Sequence, residues 1–356
     1  MIFHRIPTGG CQSYLLGCPE KCAAVLIDPA LSQVDRYLGL LAREGLRLRY
    51  VVDTHTHADH FSAAPQISER LGVPAVMHRD SPAPYADLRL DDGDMLVVGD
   101  MRIEAIHTPG HTSDSMCLRL ADRVFTGDTL LIGATGRTDL PTGDPEALFD
   151  SLFGRLLKLD PELEVFPAHD YKGGQSSTIG REIAENPRLQ KRDRAAFVDM
   201  MRCLNLSAPD HMTAALRANM CGGKTVEQLL GEAAANIPFI SAHELCSRLM
   251  KRDNDLVILD VRERAAYDTD HIAGARNLPR GQLELMVDKM LPDPTVRIIT
   301  VCESGRVSTL AAATLRELGF RRAAALDGGM KLWREADYGL ETGAAQPWTG
   351  DFSPEI

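Results

Sequence analysis

The sequence predicts an α/β protein of two domains. Three features carry this. Short apolar runs separated by amphipathic helical patterns fill the chain up to His169, a strand-poor helical stretch follows over about 183–231, and a fresh β-α-β-α rhythm opens at Asp253. A length of 356 residues agrees with roughly two domains.

The elements follow in order. "AAVLID" (23–28), "LRYVVDT" (48–54), "PAVMH" (74–78) and "MRIEAIHT" (101–108) are apolar runs bounded by turn residues, as strands are. "SMCLRLADRVFTGDTLL" (115–131) reads as two strands around Ala121-Asp122-Arg123. "SQVDRYLGLLAREG" (32–45) and "DPEALFDSLFGRLLKL" (144–159) place apolar residues three and four apart, so both are helices, the second capped by Asp144 with Pro145 in its first turn. Beyond the helical stretch, "DNDLVILDVRE" (253–263), "TVRIITVC" (295–302) and "AAALDGG" (323–329) are strands, and "VSTLAAATLRELGF" (307–320) is a helix. The expected domains are 1–235 and 236–356.

The bulk numbers exclude some functions. A net charge of -11 disfavours nucleic acid and membrane surfaces, which call for basic patches. No window has the apolar length of a membrane-spanning helix, and the first residues lack the order of a secretory signal. Eight irregularly spaced cysteines suit a reducing compartment, so a cytoplasmic location is expected.

Histidine and aspartate recur where the strand-like runs end. "THTHADH" carries His55, His57, Asp59 and His60; "HTPGHT" adds His111, "GDT" adds Asp128 and "PAHDY" adds His169. Groups at neighbouring strand ends converge in space, and imidazole with carboxylate is the usual ligand set for zinc and iron. Burying so many polar side chains without partners would cost about 1–3 kcal/mol each, which a metal avoids. His4, His78, His107, His211 and His243 read as structural.

Together these motifs resemble the metallo-β-lactamase superfamily, an αββα sandwich with its site at the strand ends, over about residues 1–235. The resemblance implies one site from His55, His57 and His111, another from Asp59, His60 and His169, and Asp128 between them. A dizinc thioester hydrolase of the glyoxalase II kind would use all seven. The stretch "GDTLLIGATGRTDLPTGDPEALFDSL" instead resembles the persulfide dioxygenases of the superfamily. That resemblance implies a single Fe(II) per chain held by His55, His111 and Asp128. Two histidines and one carboxylate leave positions open for substrate and dioxygen. His57, Asp59, His60 and His169 would then orient the ligands. Arg137 and Tyr171 would grip the carboxylates of glutathione persulfide; for Arg137 a surface ion pair is the alternative.

"VCESGRVS" places Cys302 between a strand and a helix, where backbone N–H groups and the helix dipole favour a reactive thiolate. Gly305 permits the tight turn, and Ser304 and Arg306 complete the loop. With "VILDVRERAAYDTDHIAGARNLP" and "LDGGMKLW" this stretch resembles rhodanese, over about 240–345, a small doubly wound α/β domain whose loop cysteine becomes a persulfide. Asp260, Arg262 and His271 read as scaffold. Glu303, an acid in the loop, would repel a dianion and argues against thiosulfate as preferred donor. Cys18 and Cys22 sit in a hairpin, and Cys11, Cys117, Cys203, Cys221 and Cys246 read as packing thiols.

The expectation is an enzyme of sulfur metabolism. Its iron site would oxidise glutathione persulfide with O2 to sulfite, and Cys302 would move sulfur between persulfide, sulfite and thiosulfate. A homodimer is expected. The alternatives are a dizinc thioester hydrolase with an appended rhodanese domain, and a sulfur carrier or sensor without turnover.

Overall fold

The computed structural model describes residues 1–170, 173, 176–204, 206–207, 212–251 and 255–343. The chain forms two compact units, Met1–Gly223 and Lys224–Ile356, so the division falls before the expected 235/236. No helix among the described residues is long and apolar enough to cross a membrane.

In the first unit, β1 (Ile2–Thr8), β2 (Cys11–Cys18), β3 (Ala23–Ile27), β4 (Arg47–Val52), β5 (Ala75–His78) and β6 (Leu88–Leu90) form one sheet in sequence order. The other sheet takes β7 (Met95–Val98), β8 (Met101–His107), β9 (Met116–Arg119) and β10 (Arg123–Gly127). After a small hairpin of β11 (Leu130–Leu131) and β12 (Ala134–Thr135), it is completed by β13 (Glu164–Pro167) and β14 (Ser177–Thr178). Its order is β14-β13-β10-β9-β8-β7.

The two-residue period of a strand explains the layering. Tyr14, Leu16, Val25, Ile27, Val52 and Val76 point inward and meet Leu96, Val98, Ile103, Leu118, Phe125 and Phe166 from the other sheet. Their neighbours Leu15, Leu26, Val51 and Ala75 point outward onto α1 (Val34–Arg43) and α2 (Ala64–Leu71) through Tyr37, Leu41 and Ile67. On the opposite outer face, Ile106, Cys117, Val124 and Val165 pack under α3 (Pro145–Gly154), α4 (Ile179–Glu185) and α5 (Arg194–Arg202). The result is an αββα sandwich, with α6 (Met212–Cys221) closing the unit. Asp144 caps α3 by accepting from the N–H groups of Glu146 and Ala147 at 2.8 and 3.2 Å. The helix expected over 144–159 breaks at Gly154–Arg155 into α3 and one turn of 3-10 helix, Leu156–Lys158. Leu148, Leu152 and Leu156 still share one buried face.

The second unit begins with α7 (Val226–Asn236), whose Thr225 forms a capping box with Gln228. A five-stranded parallel sheet follows, drawn from β15 (Phe239–Ile240), β16 (Leu256–Asp260), β18 (Arg276–Asn277), β19 (Arg297–Val301) and β20 (Ala323–Leu326); β17 (His271–Ile272) pairs separately with β21 (Leu340–Glu341). The helices are α8 (Ala242–Met250), α9 (Arg264–Thr269), α10 (Leu283–Met290), α11 (Arg306–Glu317) and α12 (Gly329–Glu335). The strand order β15-β20-β19-β16-β18 reverses between β16 and β19. Such a switch point opens a crevice at the carboxyl ends of the strands, and Cys302 follows the end of β19.

Candidate functional site

The loops that follow β4, β8, β10 and β13 all leave one end of the sandwich and carry the histidines and aspartates together. Backbone bonds lock them: Met116 N donates to Thr54 O at 2.9 Å, Ala168 N to Gly127 O at 2.9 Å and Gln12 N to Ala168 O at 2.7 Å. Gly127 sits at φ +49°, and a Cβ there would lie 2.6 Å from Thr54 Oγ1. Only glycine lets the Asp128 loop approach the His55 loop this closely.

His55, His111 and Asp128 are buried, and their ligand atoms lie within 4.8 Å of one another. Asp128 Oδ2 is 3.5 Å from His111 Nε2 and 4.0 Å from His55 Nε2. The far sides of the rings are fixed. His111 Nδ1 donates to Arg137 O at 2.8 Å, leaving the lone pair on Nε2. Thr54 Oγ1 donates to Asp28 Oδ2 at 2.9 Å and so accepts from His55 Nδ1 at 3.0 Å, which again leaves the lone pair on Nε2. Burial and the neighbouring His57 push the pKa of His55 down to about 3, so the ring is neutral. His55 Nε2 is buried and has no hydrogen-bond partner among the described residues. An orphaned lone pair facing a histidine and a carboxylate fits a metal ion, and its burial is otherwise hard to account for.

The other four residues of the cluster border this trio. His169 donates through Nδ1 to Asp128 Oδ1 at 2.7 Å and through Nε2 to Asp59 Oδ2 at 3.0 Å. Burial favours its neutral form, yet the two carboxylates win and hold His169 well above the usual histidine range. His60 Nδ1 lies 3.1 Å from Asp59 Oδ2, and against the effect of burial Asp59 and Cys11 push its pKa up to about 10. His57 Nε2 bonds Asp28 Oδ1 at 3.2 Å. His57 Nδ1 and His60 Nε2 are buried without hydrogen-bond partners among the described residues.

Four further residues belong to the site. Asp28, a non-glycine at φ +49°, accepts from Thr54 N at 2.7 Å and so supports both His57 and, through Thr54, His55. Its signal was an aspartate between an apolar strand and Pro29. Asn219 of α6 is buried and donates to His57 O and His60 O, both at 2.8 Å, while accepting from Ser62 N at 3.1 Å. One amide thus clamps the "THTHADH" loop, and no sequence periodicity marks it. Arg188 donates to Thr135 O at 2.6 Å and Thr135 Oγ1 at 3.1 Å; no carboxylate among the described residues offsets its burial, which lowers its pKa. The fourth, Cys11, corrects the reading as a packing thiol: its Sγ lies 3.0 Å from Asp59 Oδ2 and 3.3 Å from His169 Nε2. Cys203 and Cys221 are likewise not packing thiols, since both are exposed.

A cavity of about 660 Å³ opens over this cluster, lined by Cys11, His111, Asp128, Arg137, His169 and Arg188 among others. Its size suits a small-molecule ligand. Arg137 forks onto Asp139 at 2.6 and 2.7 Å and donates to Ser207 O at 2.7 Å, so it both pairs and lines the cavity. Tyr171 lies outside the described residues.

In the second unit Cys302 is buried, and its Sγ accepts from Ser308 N at 3.2 Å at the start of α11. The "LDGG" turn supports the loop: Met330 N donates to Cys302 O at 2.9 Å and Lys331 N to Glu303 O at 3.0 Å. Gly329 is required, since a Cβ would meet Cys302 O at 2.2 Å, and Gly305 starts α11 at φ +86°. Ser304, Gly305 and Arg306 line an open cavity of about 390 Å³ with Glu227 and Asp327. Arg306 pairs with Glu227 at 2.5 Å. Glu303 is not a bare acid, as its sequence position suggested. Arg334 at 2.5 Å and Arg262 at 3.3 Å hold its carboxylate, so the repulsion expected for a dianion is reduced. Arg262 is anchored on Asp260 at 2.7 Å while it reaches Glu303, and His271 Nδ1 is engaged with Tyr267 O at 2.9 Å, away from the loop.

A sandwich with a metal-type cluster at its strand ends, followed by a doubly wound domain with a loop cysteine, defines a metallo-β-lactamase fold joined to a rhodanese-like domain. Residues 6–169 match the metallo-beta-lactamase superfamily and residues 241–336 the rhodanese-like domain. The human mitochondrial persulfide dioxygenase ETHE1 is 41% identical over 217 residues, which is 60% of this chain and 85% of that protein. The crystal structure of ETHE1 from Myxococcus xanthus, also 41% identical, covers 63% of this chain and 100% of its own at a TM-score of 0.61. A metallo-beta-lactamase from Staphylococcus aureus shares the fold over 92% of this chain and 98% of its own, at 22% identity and a TM-score of 0.59. The chain belongs to the ETHE1 persulfide dioxygenase family of the metallo-beta-lactamase superfamily and carries a rhodanese-like domain behind it.

Proposed function

We propose that the first unit is a mononuclear Fe(II) persulfide dioxygenase and the second a sulfurtransferase acting through Cys302. The observation that carries the first half is the convergence of His55 Nε2, His111 Nε2 and Asp128 Oδ2 beneath an open cavity. Ferrous iron held there would supply dioxygen activation beside the terminal sulfur of glutathione persulfide, which redox-silent zinc cannot do. In the overall reaction R–S–S⁻, O2 and H2O give R–SH and HSO3⁻: the outer sulfur gains three oxygens, two from dioxygen and one from water. The chain's own part is to hold and orient. Thr54 and the carbonyl of Arg137 fix the ligand rings, and His169 fixes Asp128.

Arg188 extends the substrate reading proposed for Arg137 and Tyr171. It is a cation in the cavity wall with no carboxylate partner among the described residues, which suits a glutathione carboxylate. Arg188→Gln is expected to raise KM for glutathione persulfide about tenfold or more, with kcat little changed, since a charge-assisted hydrogen bond is worth about 1.5–3 kcal/mol. Steady-state kinetics read this, with a persulfide lacking carboxylates, whose KM should not move, as control.

In the second unit, the Cys302 thiolate takes the outer sulfur of a donor and passes it on as Cys302–S–S⁻. Ser304, Gly305 and Arg306 receive the donor and acceptor. Glutathione persulfide with sulfite on one side, and glutathione with thiosulfate on the other, are the partners.

A second reading is favoured by one observation. The unpartnered nitrogens of His57 and His60 suit a dizinc hydrolase. Metal analysis of anaerobically purified protein separates the two. About one iron per chain supports the oxygenase; two zincs per chain overturn it.

A further inference from the structure

Cys11 opens β2 at the floor of the metal cavity. Its Sγ donates to Asp59 Oδ2 at 3.0 Å and lies 3.3 Å from His169 Nε2 and 3.6 Å from His60 Nδ1. These are the three side chains that a second metal ion would need. They are also drawn onto one another, because Asp59 Oδ2 accepts from His60 Nδ1 at 3.1 Å and from His169 Nε2 at 3.0 Å. The sulfur is not free to swing aside on a loose loop. The backbone of Cys11 forms a bridge with His169, and the next residue, Gln12, donates to Ala168 O at 2.7 Å.

Ligand geometry then decides what fits. An ion bound to nitrogen and carboxylate oxygen sits about 2.0–2.2 Å from each. The sulfur, at 3.0 and 3.3 Å from the same two atoms, covers the side of the Asp59–His169 pair that it faces. An ion on that side would have to take the sulfur as a ligand or push it away. We propose that Cys11 keeps the metal centre mononuclear: its thiol ties up Asp59, His60 and His169 in the place of a second ion, leaving His55, His111 and Asp128 as the metal-holding set. This rests on the single-iron reading above and names a residue that separates it from the dinuclear alternative. A packing thiol would have apolar neighbours; this one has a carboxylate and two imidazoles.

The test uses the full chain, stripped of metal and titrated with Co2+ under anaerobic conditions, with bound metal read by equilibrium dialysis and by visible absorption. Wild type is expected to bind one ion, without the intense sulfur-to-cobalt absorption of a thiolate ligand. Cys11→Ala is expected to bind a second ion about tenfold or more tighter than wild type does. Cys11→Ser, with a smaller atom at the same position, is expected to fall between and serves if the alanine variant does not fold. Two outcomes overturn the proposal. One is a Cys11→Ala or Cys11→Ser variant, folded by circular dichroism, that still binds a single ion. The other is a wild type that binds two ions with a sulfur-to-cobalt band that vanishes in the variants, which would make Cys11 a ligand. Failure of the oxygenase reading would appear in oxygen uptake and leaves this stoichiometry measurement standing.

Discussion

Cys302→Ser is expected to abolish sulfur transfer from thiosulfate to cyanide, down to the uncatalysed background, and to leave oxygen consumption with glutathione persulfide unchanged. A serine hydroxyl is not ionised near neutral pH and cannot carry a persulfide, so the loss is of kind rather than degree. The substitution is conservative in space. The serine oxygen can still accept from Ser308 N, and the carbonyl of residue 302 still accepts from Met330 N. The fold is therefore expected to persist, with a melting temperature close to that of wild type. Oxygen uptake should survive because the proposed iron ligands belong to the other compact unit. Loss of both activities in a folded variant would contradict two independent sites.

Asp128→Asn is expected to give the converse pattern. The carboxylate serves three histidines, with Oδ2 toward His111 and His55 and Oδ1 accepting from His169 Nδ1 at 2.7 Å. An amide keeps the shape but removes the charge, and only its oxygen can accept or ligate, so one of the two sides served by the carboxylate faces an NH2 that can do neither. Disturbing the hydrogen-bond partner of a ligand already costs about 10–100-fold in metal affinity. Replacing the ligand itself is expected to cost more than about a hundredfold, and oxygenase activity falls with it. Iron content by elemental analysis reads the first, an oxygen electrode the second. Transfer from thiosulfate to cyanide should match wild type.

How much of this was legible beforehand depended on how local each signal was. The strands around "AAVLID" and "LRYVVDT" and the helix capped by Asp144 are visible because apolar period and capping are short-range properties. The grouping of His55, His111 and Asp128 was readable because each follows a strand. The loop around Cys302 was readable because Gly305 must adopt a conformation disfavoured for other residues. What could not be read was the support. Asn219 reaches the "THTHADH" loop across 159 and 162 positions of sequence. Arg334 and Arg262 meet Glu303 only once the second unit has folded, so the acid looked repulsive on its own. Cys11 looked like any small buried residue until β2 was set beside the segment carrying His169. Pairing partners distant in sequence leave no mark on composition or periodicity.

The central claim is that the first unit uses one iron to oxidise a persulfide. The most direct measurement is an oxygen electrode trace of the anaerobically iron-loaded full chain with glutathione persulfide. The expected result is steady uptake of one O2 per persulfide, with sulfite and glutathione formed in equal amounts. No uptake by folded, iron-loaded protein, together with hydrolysis of a glutathione thioester when two zincs are bound, would contradict it.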